Sequence, residues 1–388
     1  MRARRKGVAA NPKRTPTVRR IKPAITPVPR PRSPAPPGPR AAATPPAPPP
    51  GADTGPGAPW SPALDALGGR PVALAVDLGR GLTLPNPVIA AAGPFGYGVE
   101  VADLVDLPRL GGLVTRSTSL KPRAGHPGPR VAEIPAGLLL GMGPQNPGLD
   151  VVLERYPEVW ARWPVPVVLS LCADTSGELG EAVRRLDGVP GVAGVEINLS
   201  CGSGRGGVVP GLDADAALAW VGAARRATDL PVIAKLTAQA ADVREVARAA
   251  EGAGADAIAA VNTLPGLVPA GDRRGPALGS AYGGICGPAL RPIALRVVWE
   301  VAQAVHVPVI GVGGVAGVDD VLDFLAVGAS AVGVGVAALA DPMLPVRLAD
   351  ELADACRVRG VDDVRELVGT ALPKRTAPPS TRGAQYAR

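Results

Sequence analysis

A thiol and an amide stand close together in residues 196–203, which read EINLSCGS and lie at the end of an apolar run. Cys201 could serve there as a base or nucleophile if its pKa is suitably tuned. Asn198 offers an amide donor and acceptor to the same ligand. The alternative is a small cysteine that only fills a turn, and the position at the end of a predicted strand favours the chemical interpretation.

Two further apolar runs also end in polar side chains. Lys235 closes residues 232–235, and Asn262 and Thr263 follow residues 257–261. A lysine at the end of an apolar strand directs its ammonium into the space beyond the strand, or extends it to the rim. The amide and the hydroxyl could hydrogen-bond a ligand in that space.

Glycine clusters follow the last two apolar runs. Gly313 and Gly314 form one cluster, and Gly335 with Val336 belongs to the other. Glycines at strand ends let backbone N–H groups approach a phosphate. Residues 282–288, which include Gly287, could also bring amides to a cofactor, although a tight turn followed by a helix start explains that segment equally well.

Eight short apolar runs position these side chains, and most are followed by a stretch with helical spacing. The predicted strands are residues 88–92, 112–115, 167–171, 194–198, 232–235, 257–261, 309–312 and 331–334. The predicted helices between them include residues 214–228, 242–253, 289–305 and 318–327. This alternation predicts an α/β fold, a closed (β/α)₈ TIM barrel with its site at the C-terminal ends of the strands.

An open doubly wound sheet is the alternative architecture. Its strongest glycine-rich loop would follow the first strand, whereas the richest glycine clusters here come last. The order therefore favours the barrel. Before the barrel, residues 72–76 and 82–84 predict a β-hairpin, and the long insert after the second strand is expected above the barrel mouth.

The first sixty of the 388 residues differ in composition from the rest. They contain 17 prolines, 12 basic residues and one acid, Asp53. We therefore predict a disordered, polyproline-prone tail over residues 1–65, a barrel over residues 66–372 and a second tail over residues 373–388. Beyond residue 60 there are 29 basic and 33 acidic residues, so the basic character belongs to the tail and does not support nucleic-acid binding by the folded body.

The sequence shows no pattern typical of membrane insertion, secretion or metal binding. No apolar run reaches the length of a membrane span, and no signal-peptide pattern follows the basic start. The cysteines are scattered, which favours free thiols in a reducing cytoplasm and no metal site. They are Cys172, Cys201, Cys286 and Cys356.

The order and spacing of motifs between about residues 82 and 338 resemble the dihydroorotate dehydrogenase family, most closely its class 1B. The matching segments are Asn86-Pro87, AAG at 91–93, Pro122-Arg123, Pro129-Arg130, GPQNPG at 143–148, NLSC at 198–201, KLT at 235–237, NTL at 262–264, GGICG at 283–287 and the two late glycine clusters.

This resemblance implies FMN-dependent oxidation of dihydroorotate to orotate in pyrimidine biosynthesis. It makes Cys201 the catalytic base and Lys235 the cation that steadies charge on the flavin. The implied substrate-binding residues are Arg116, Asn198, Ser203, Asn262 and Thr263. The implied cofactor-binding residues are Ala92, Gly93, Lys235, Gly287, Gly313, Gly314, Gly335 and Val336.

The resemblance also implies partners. Cysteine at position 201 is typical of class 1, whose members are cytoplasmic and need no membrane. We expect a homodimer and a separate electron-transfer subunit that carries an iron–sulfur cluster and FAD and works with NAD. The chain encodes no iron–sulfur ligand set of its own, so the cluster would lie on that subunit.

Several positions on the substrate side depart from the family pattern. Arg116 stands for a lysine, Leu140 and Ser203 for asparagines, Cys286 for a serine, and Ala238-Gln239 for a Pro-Asn pair. Each lost amide removes hydrogen bonds worth about 0.5–1.5 kcal/mol, enough to change substrate preference. Two alternatives therefore stay open: an FMN barrel that acts on another dihydropyrimidine-like cyclic amide, and a non-catalytic barrel whose tail binds partners.

Overall fold

A computed structural model describes residues 71–201 and 209–373, which hold fourteen strands and nine α-helices. The strands are β1 (Val76–Asp77), β2 (Thr83–Leu84), β3 (Val88–Ala90), β4 (Gly112–Val114), β5 (Val131–Ile134), β6 (Gly137–Leu140), β7 (Val167–Leu171), β8 (Gly194–Asn198), β9 (Val232–Lys235), β10 (Ala257–Ala260), β11 (Leu264–Gly266), β12 (Gly283–Cys286), β13 (Val309–Val312) and β14 (Ala331–Val334).

The helices follow the barrel strands along the chain. They are α1 (Leu149–Arg155), α2 (Pro157–Trp160), α3 (Ser176–Arg184), α4 (Ala214–Arg225), α5 (Val243–Gly252), α6 (Arg291–Ala304), α7 (Val318–Ala326), α8 (Ala337–Ala340) and α9 (Leu344–Arg359). Short 3₁₀ turns lie at Leu107–Arg109, Pro210–Leu212, Pro288–Leu290 and Val364–Leu367. No α-helix in the described ranges is long and apolar enough to cross a membrane.

Eight strands close into one parallel barrel in the cyclic order β10-β13-β14-β3-β4-β7-β8-β9. Every residue of these strands is buried, because helices cover the outer face and side chains fill the interior. All eight predicted strands are present, and the predicted (β/α)₈ barrel is confirmed. The observed ends differ from the predicted ends by two residues at most, where the chain turns from the strand towards the mouth.

Side-chain caps start several helices directly after the strand loops. The Thr175 hydroxyl accepts from the Glu178 N–H at the start of α3, at 3.1 Å. The Asp213 carboxylate accepts from the Ala216 N–H at 2.8 Å, which begins α4. Such caps satisfy N–H groups that the helix leaves without partners and so define where each helix begins.

The predicted N-terminal hairpin is present, with shorter strands than the sequence suggested. Strands β1 and β2 pair antiparallel, with Val76 opposite Leu84. In the turn between them, the Arg80 Nε lies 3.0 Å from an Asp256 carboxylate oxygen. The Asp256 carboxylate also accepts hydrogen bonds from Arg225 Nη1 and from the Val232 N–H, both at 2.9 Å. These contacts fix the hairpin beside the start of β9.

A second sheet, in the antiparallel order β11-β12-β6-β5, was not predicted. It joins two segments far apart in sequence: the insert after β4 and the segment after β10. For residues 282–288 the sequence left two interpretations open, amides that approach a cofactor or a tight turn with a helix start. In the structure Gly283–Cys286 is strand β12, and the helix begins at Arg291 after a 3₁₀ turn. Glycine is poor in strands, and here a Cβ on Gly284 would overlap the Thr263 side chain.

The predicted tails over residues 1–65 and 373–388 lie almost entirely outside the described residues, and the domain boundaries stay predictions.

Candidate active site at the barrel mouth

Polar side chains from neighbouring barrel strands meet where these strands end. The Asn198 amide nitrogen donates to the Cys201 sulfur at 3.4 Å and to the Ser117 hydroxyl at 3.0 Å. The Asn262 amide donates to the Asn198 oxygen at 3.2 Å. Cys201 and Asn198 from one predicted motif and Asn262 from another therefore form one cluster, because β8 and β10 flank the same strand, β9, and end at the same mouth.

Beneath this cluster a buried polar chain leads to the lysine. The Ser117 and Ser170 hydroxyls lie 2.8 Å apart, and the Ser170 hydroxyl donates to Glu196 Oε1 at 2.9 Å. The other Glu196 oxygen lies 3.6 Å from the Lys235 ammonium. The two charged residues are only 2% and 5% exposed, so each supplies the partner that a buried charge requires.

Glu196 and Ser170 were not among the predicted site residues. The signal was present, since Glu196 is the only charged residue in the apolar run 194–198. A carboxylate in the middle of a fully buried strand needs a cation or donors close by.

The surroundings of Cys201 favour its thiolate. The Cys172 thiol hydrogen-bonds to Cys201 and lowers the pKa of the Cys201 thiol, and the positive charge of Arg123 acts in the same direction. Burial opposes both effects. The same contact, together with burial, raises the pKa of Cys172, so that Cys172 is the partner that keeps its proton. Cys201 is thus a tuned thiol of the kind a base or nucleophile requires.

Open space lies above two neighbouring strands on another side of the mouth. A Cβ placed on Gly93, which follows β3 and Ala92, or on Gly335, which follows β14, would meet no atom within 4 Å. Strands β3 and β14 are paired. A cradle of exposed backbone of this kind fits a phosphate-bearing cofactor.

The remaining predicted cofactor residues lie close to one another. A Cβ on Gly287 would lie 3.7 Å from a Val336 methyl group, and one on Gly314 would lie 2.9 Å from the Gly287 carbonyl oxygen. Gly313 differs, because a Cβ there would lie 2.7 Å from Ala294 of α6. Helix packing is thus enough to require glycine at position 313.

Arg116 is held at the end of the second barrel strand by its backbone. Its N–H donates to the Gly96 carbonyl at 2.7 Å, and its carbonyl accepts from the Thr118 hydroxyl at 3.2 Å. The Arg116 guanidinium makes no ion pair with any residue in the described ranges, 71–201 and 209–373. It is therefore available to an anionic group of a ligand.

Leu140 is the last residue of β6 in the unpredicted antiparallel sheet, and Thr263 directly precedes β11 of the same sheet. The Thr263 N–H donates to the Asn262 side chain at 2.8 Å, and the Thr263 side chain packs against Gly284. Gly284 is directly paired with Leu140 across the sheet. An apolar side chain thus stands near Thr263 at the position where the family has an asparagine. Ser203, the other predicted substrate residue, lies outside the described residues.

The family model of dihydroorotate dehydrogenase matches residues 74–356, which include the barrel and both halves of the second sheet. The chain belongs to the dihydroorotate dehydrogenase family.

Curated relatives extend the match. The chain is 45% identical over 292 residues to the dihydroorotate dehydrogenase B (NAD(+)) catalytic subunit of Desulforudis audaxviator, covering 75% of this chain and 95% of the relative. The subunit of the same name from Trichlorobacter lovleyi is 42% identical over 298 residues, covering 76% and 98%. That from Geobacter sulfurreducens is 43% identical over 297 residues, covering 76% and 97%.

Solved structures support the fold. The crystal structure of DHODH from Eimeria tenella in complex with ferulenol superposes with a TM-score of 0.66 at 21% identity, covering 79% of this chain and 93% of that one. At this identity the likeness concerns the barrel architecture alone.

Proposed function

We propose that this protein oxidises dihydroorotate to orotate with bound FMN, as the catalytic subunit of an NAD-linked class 1B enzyme. The observation that carries the proposal is the cluster at the mouth, in which the Asn198 side chain donates to the Cys201 sulfur and accepts from the Asn262 amide. The names of the curated relatives support the same activity.

Each polar group at the mouth has a role in this reaction. The Cys201 thiolate accepts the proton from the ring carbon of the substrate. Asn198 and Asn262 bind the amide edge of the ring, since an amide both donates and accepts. Arg116 binds the carboxylate, and Thr263 supports the ring from the adjoining sheet.

The cofactor side uses the open cradle. Gly93 and Gly335, with Ala92, Gly287, Gly313, Gly314 and Val336 close by, are the residues that would hold the FMN phosphate and ring. Bound FMN supplies the acceptor for the hydride that leaves the substrate. Lys235 stabilises negative charge near the flavin ring, and its pairing with Glu196 fixes the position of its ammonium.

The electrons then leave through another protein. The described residues contain no cluster of three or more His, Cys, Asp or Glu side chains that could hold a metal. The curated relatives are named as NAD(+)-linked catalytic subunits, which supports our proposal of a separate electron-transfer subunit with an iron–sulfur cluster and FAD. The purified chain alone should reduce an artificial dye with dihydroorotate but should not reduce NAD⁺, and NAD⁺ reduction by the chain alone would contradict this part.

A second candidate keeps the flavin and changes the substrate. Leu140 beside Thr263 places an apolar side chain where an asparagine would bind the orotate ring. A barrel with this wall could prefer another cyclic amide of the dihydropyrimidine type. A small panel of dihydropyrimidines separates the two, because the true substrate bleaches the flavin fastest.

The decisive experiment is anaerobic flavin bleaching by dihydroorotate. We expect rapid bleaching in the wild type, and a rate at least about a hundredfold lower in Cys201→Ala and Cys201→Ser, because the general base is lost. The flavin should remain bound in both variants. Cys356→Ala is the matched control, since this thiol lies in helix α9 and is fully buried. Bleaching of Cys201→Ala at the wild-type rate would remove Cys201 from the mechanism.

A further inference from the structure

Cys172 is a second thiol at the mouth, and the proposed oxidation of dihydroorotate does not use it. It directly follows β7 and is 1% exposed, whereas Cys201 follows β8 and is partly exposed. Strands β7 and β8 are paired, with Leu171 opposite Ile197. The two cysteines therefore leave the barrel at the same end of adjacent strands.

Several contacts hold both cysteines to the same short segment. The Cys172 N–H donates to the Thr118 carbonyl at 2.9 Å. The Asn198 amide bridges the Cys201 sulfur, at 3.4 Å, and the hydroxyl of Ser117, the residue next to Thr118. Each thiol also acts on the pKa of the other, which is raised at Cys172 and lowered at Cys201. Two cysteines at the same end of paired strands, both tied to residues 117–118, have the placement from which a local movement can form a disulfide.

We propose that Cys172 is the resolving cysteine of Cys201, so that hydrogen peroxide converts the pair reversibly to a disulfide. The inference goes beyond the proposed function and does not depend on it, because it requires the two thiols and not the flavin.

The chemistry has two steps. The Cys201 thiolate attacks one oxygen of hydrogen peroxide, the O–O bond breaks, and the released hydroxide takes up a proton to become water. The sulfur is oxidised by two electrons to sulfenic acid, and the peroxide is reduced. The Cys172 sulfur then attacks the sulfenic sulfur, the S–O bond breaks, and the Cys172 proton leaves with the hydroxide as a second water.

The other cysteines cannot take this part. The Cys286 thiol donates to the Leu138 carbonyl at 3.3 Å, and burial raises its pKa to about 11. Cys356 is fully buried in helix α9. A disulfide between Cys172 and Cys201 would remove the Cys201 thiolate, which is the proposed base. A dithiol reductant would restore the thiolate.

The test treats the full chain with a small excess of hydrogen peroxide, blocks free thiols with iodoacetamide and digests without reduction. Mass spectrometry should show a peptide containing Cys172 linked to the peptide containing Cys201, lost on treatment with dithiothreitol. Cys286→Ala should keep the link. In Cys172→Ala, and in Cys172→Ser as a second variant that keeps a polar group, Cys201 should proceed to the sulfinic acid, which dithiothreitol does not reverse.

Three results would overturn the proposal. The first is alkylated Cys172 beside an oxidised Cys201 in the wild type. The second is a link from Cys201 to Cys286, to Cys356 or to a second chain. The third is Cys201 oxidation that remains fully reversible in both Cys172 variants. Since the readout is a peptide mass, a failed dihydroorotate assay leaves the test intact.

Discussion

At Cys201, neighbouring groups act in opposite directions on the pKa of one thiol. The Cys172 thiol donates to it, Arg123 adds positive charge, and burial favours the neutral form, with a net lowering. Arg123 is itself held by Asp174, with Nη2 and Oδ1 3.0 Å apart. A base works best with a pKa close to the working pH, and the lowered pKa of Cys201 is a change in that direction.

This balance predicts the pH dependence of Cys201 alkylation. The thiolate is the reactive form, and its folded-state pKa is lowered, so the rate should reach half its maximum below the ordinary cysteine value of about 8.5. Cys172→Ala removes the donor and should raise this midpoint, and Arg123→Gln should raise it as well. Cys286 is the internal control, because its pKa of about 11 keeps it protonated at neutral pH. An unchanged midpoint in Cys172→Ala would contradict the assigned contact.

At the scale of elements, two glycines at the mouth, Gly335 and Gly313, differ in what an added side chain would meet. Gly335 faces open space and has no left-handed backbone, whereas Gly313 has a φ of 141° and lies against Ala294. A side chain should therefore be tolerated by the fold at Gly335 and not at Gly313.

Gly335→Val tests the cradle. The flavin-free protein should fold with an unchanged melting temperature, and FMN binding should weaken at least about tenfold, equal to about 1.4 kcal/mol, because the side chain occupies the cofactor space. Flavin absorbance after gel filtration and thermal unfolding measure the two effects. Gly252→Val at the end of helix α5 is the matched control, since a Cβ there also meets no atom within 4 Å. Full flavin content in Gly335→Val would show that the cofactor lies elsewhere.

The barrel strands could be predicted from sequence because each is a short, mostly apolar run that is buried on both faces. The cluster of Cys201, Asn198 and Asn262 could be predicted because parallel strands bring their carboxyl ends to one mouth. The sheet β11-β12-β6-β5 could not, since its pairing is non-local and β12 begins with two glycines. Cys172 was not predicted as a site residue for a related reason: it comes to the same end of the barrel as Cys201 only when β7 and β8 pair.

At the scale of the whole molecule, the relatives define which part of the chain carries the family fold. The three curated relatives cover about three quarters of this chain and at least 95% of their own lengths. The family model begins at residue 74, close to the hairpin. The N-terminal residues before it are therefore an addition to the length that these relatives share.

Deletion of residues 1–60 tests that view. The segment has 17 prolines and a strongly basic composition, so it should contribute little to burying apolar surface. The shortened protein should keep its melting temperature and flavin content, measured by thermal unfolding and absorbance. Loss of soluble protein would show that the segment supports the barrel.

The antiparallel sheet has a consequence for engineering new specificity. The four-stranded sheet consists of two β-hairpins, β5-β6 and β11-β12, which lie more than a hundred residues apart in sequence. They pair through β6 and β12, where Leu140 lies opposite Gly284. A chimaera that takes only one of these hairpins from a relative would combine two strands, β6 and β12, that are not matched to each other. Specificity in this barrel should therefore be transplanted as a matched pair of segments.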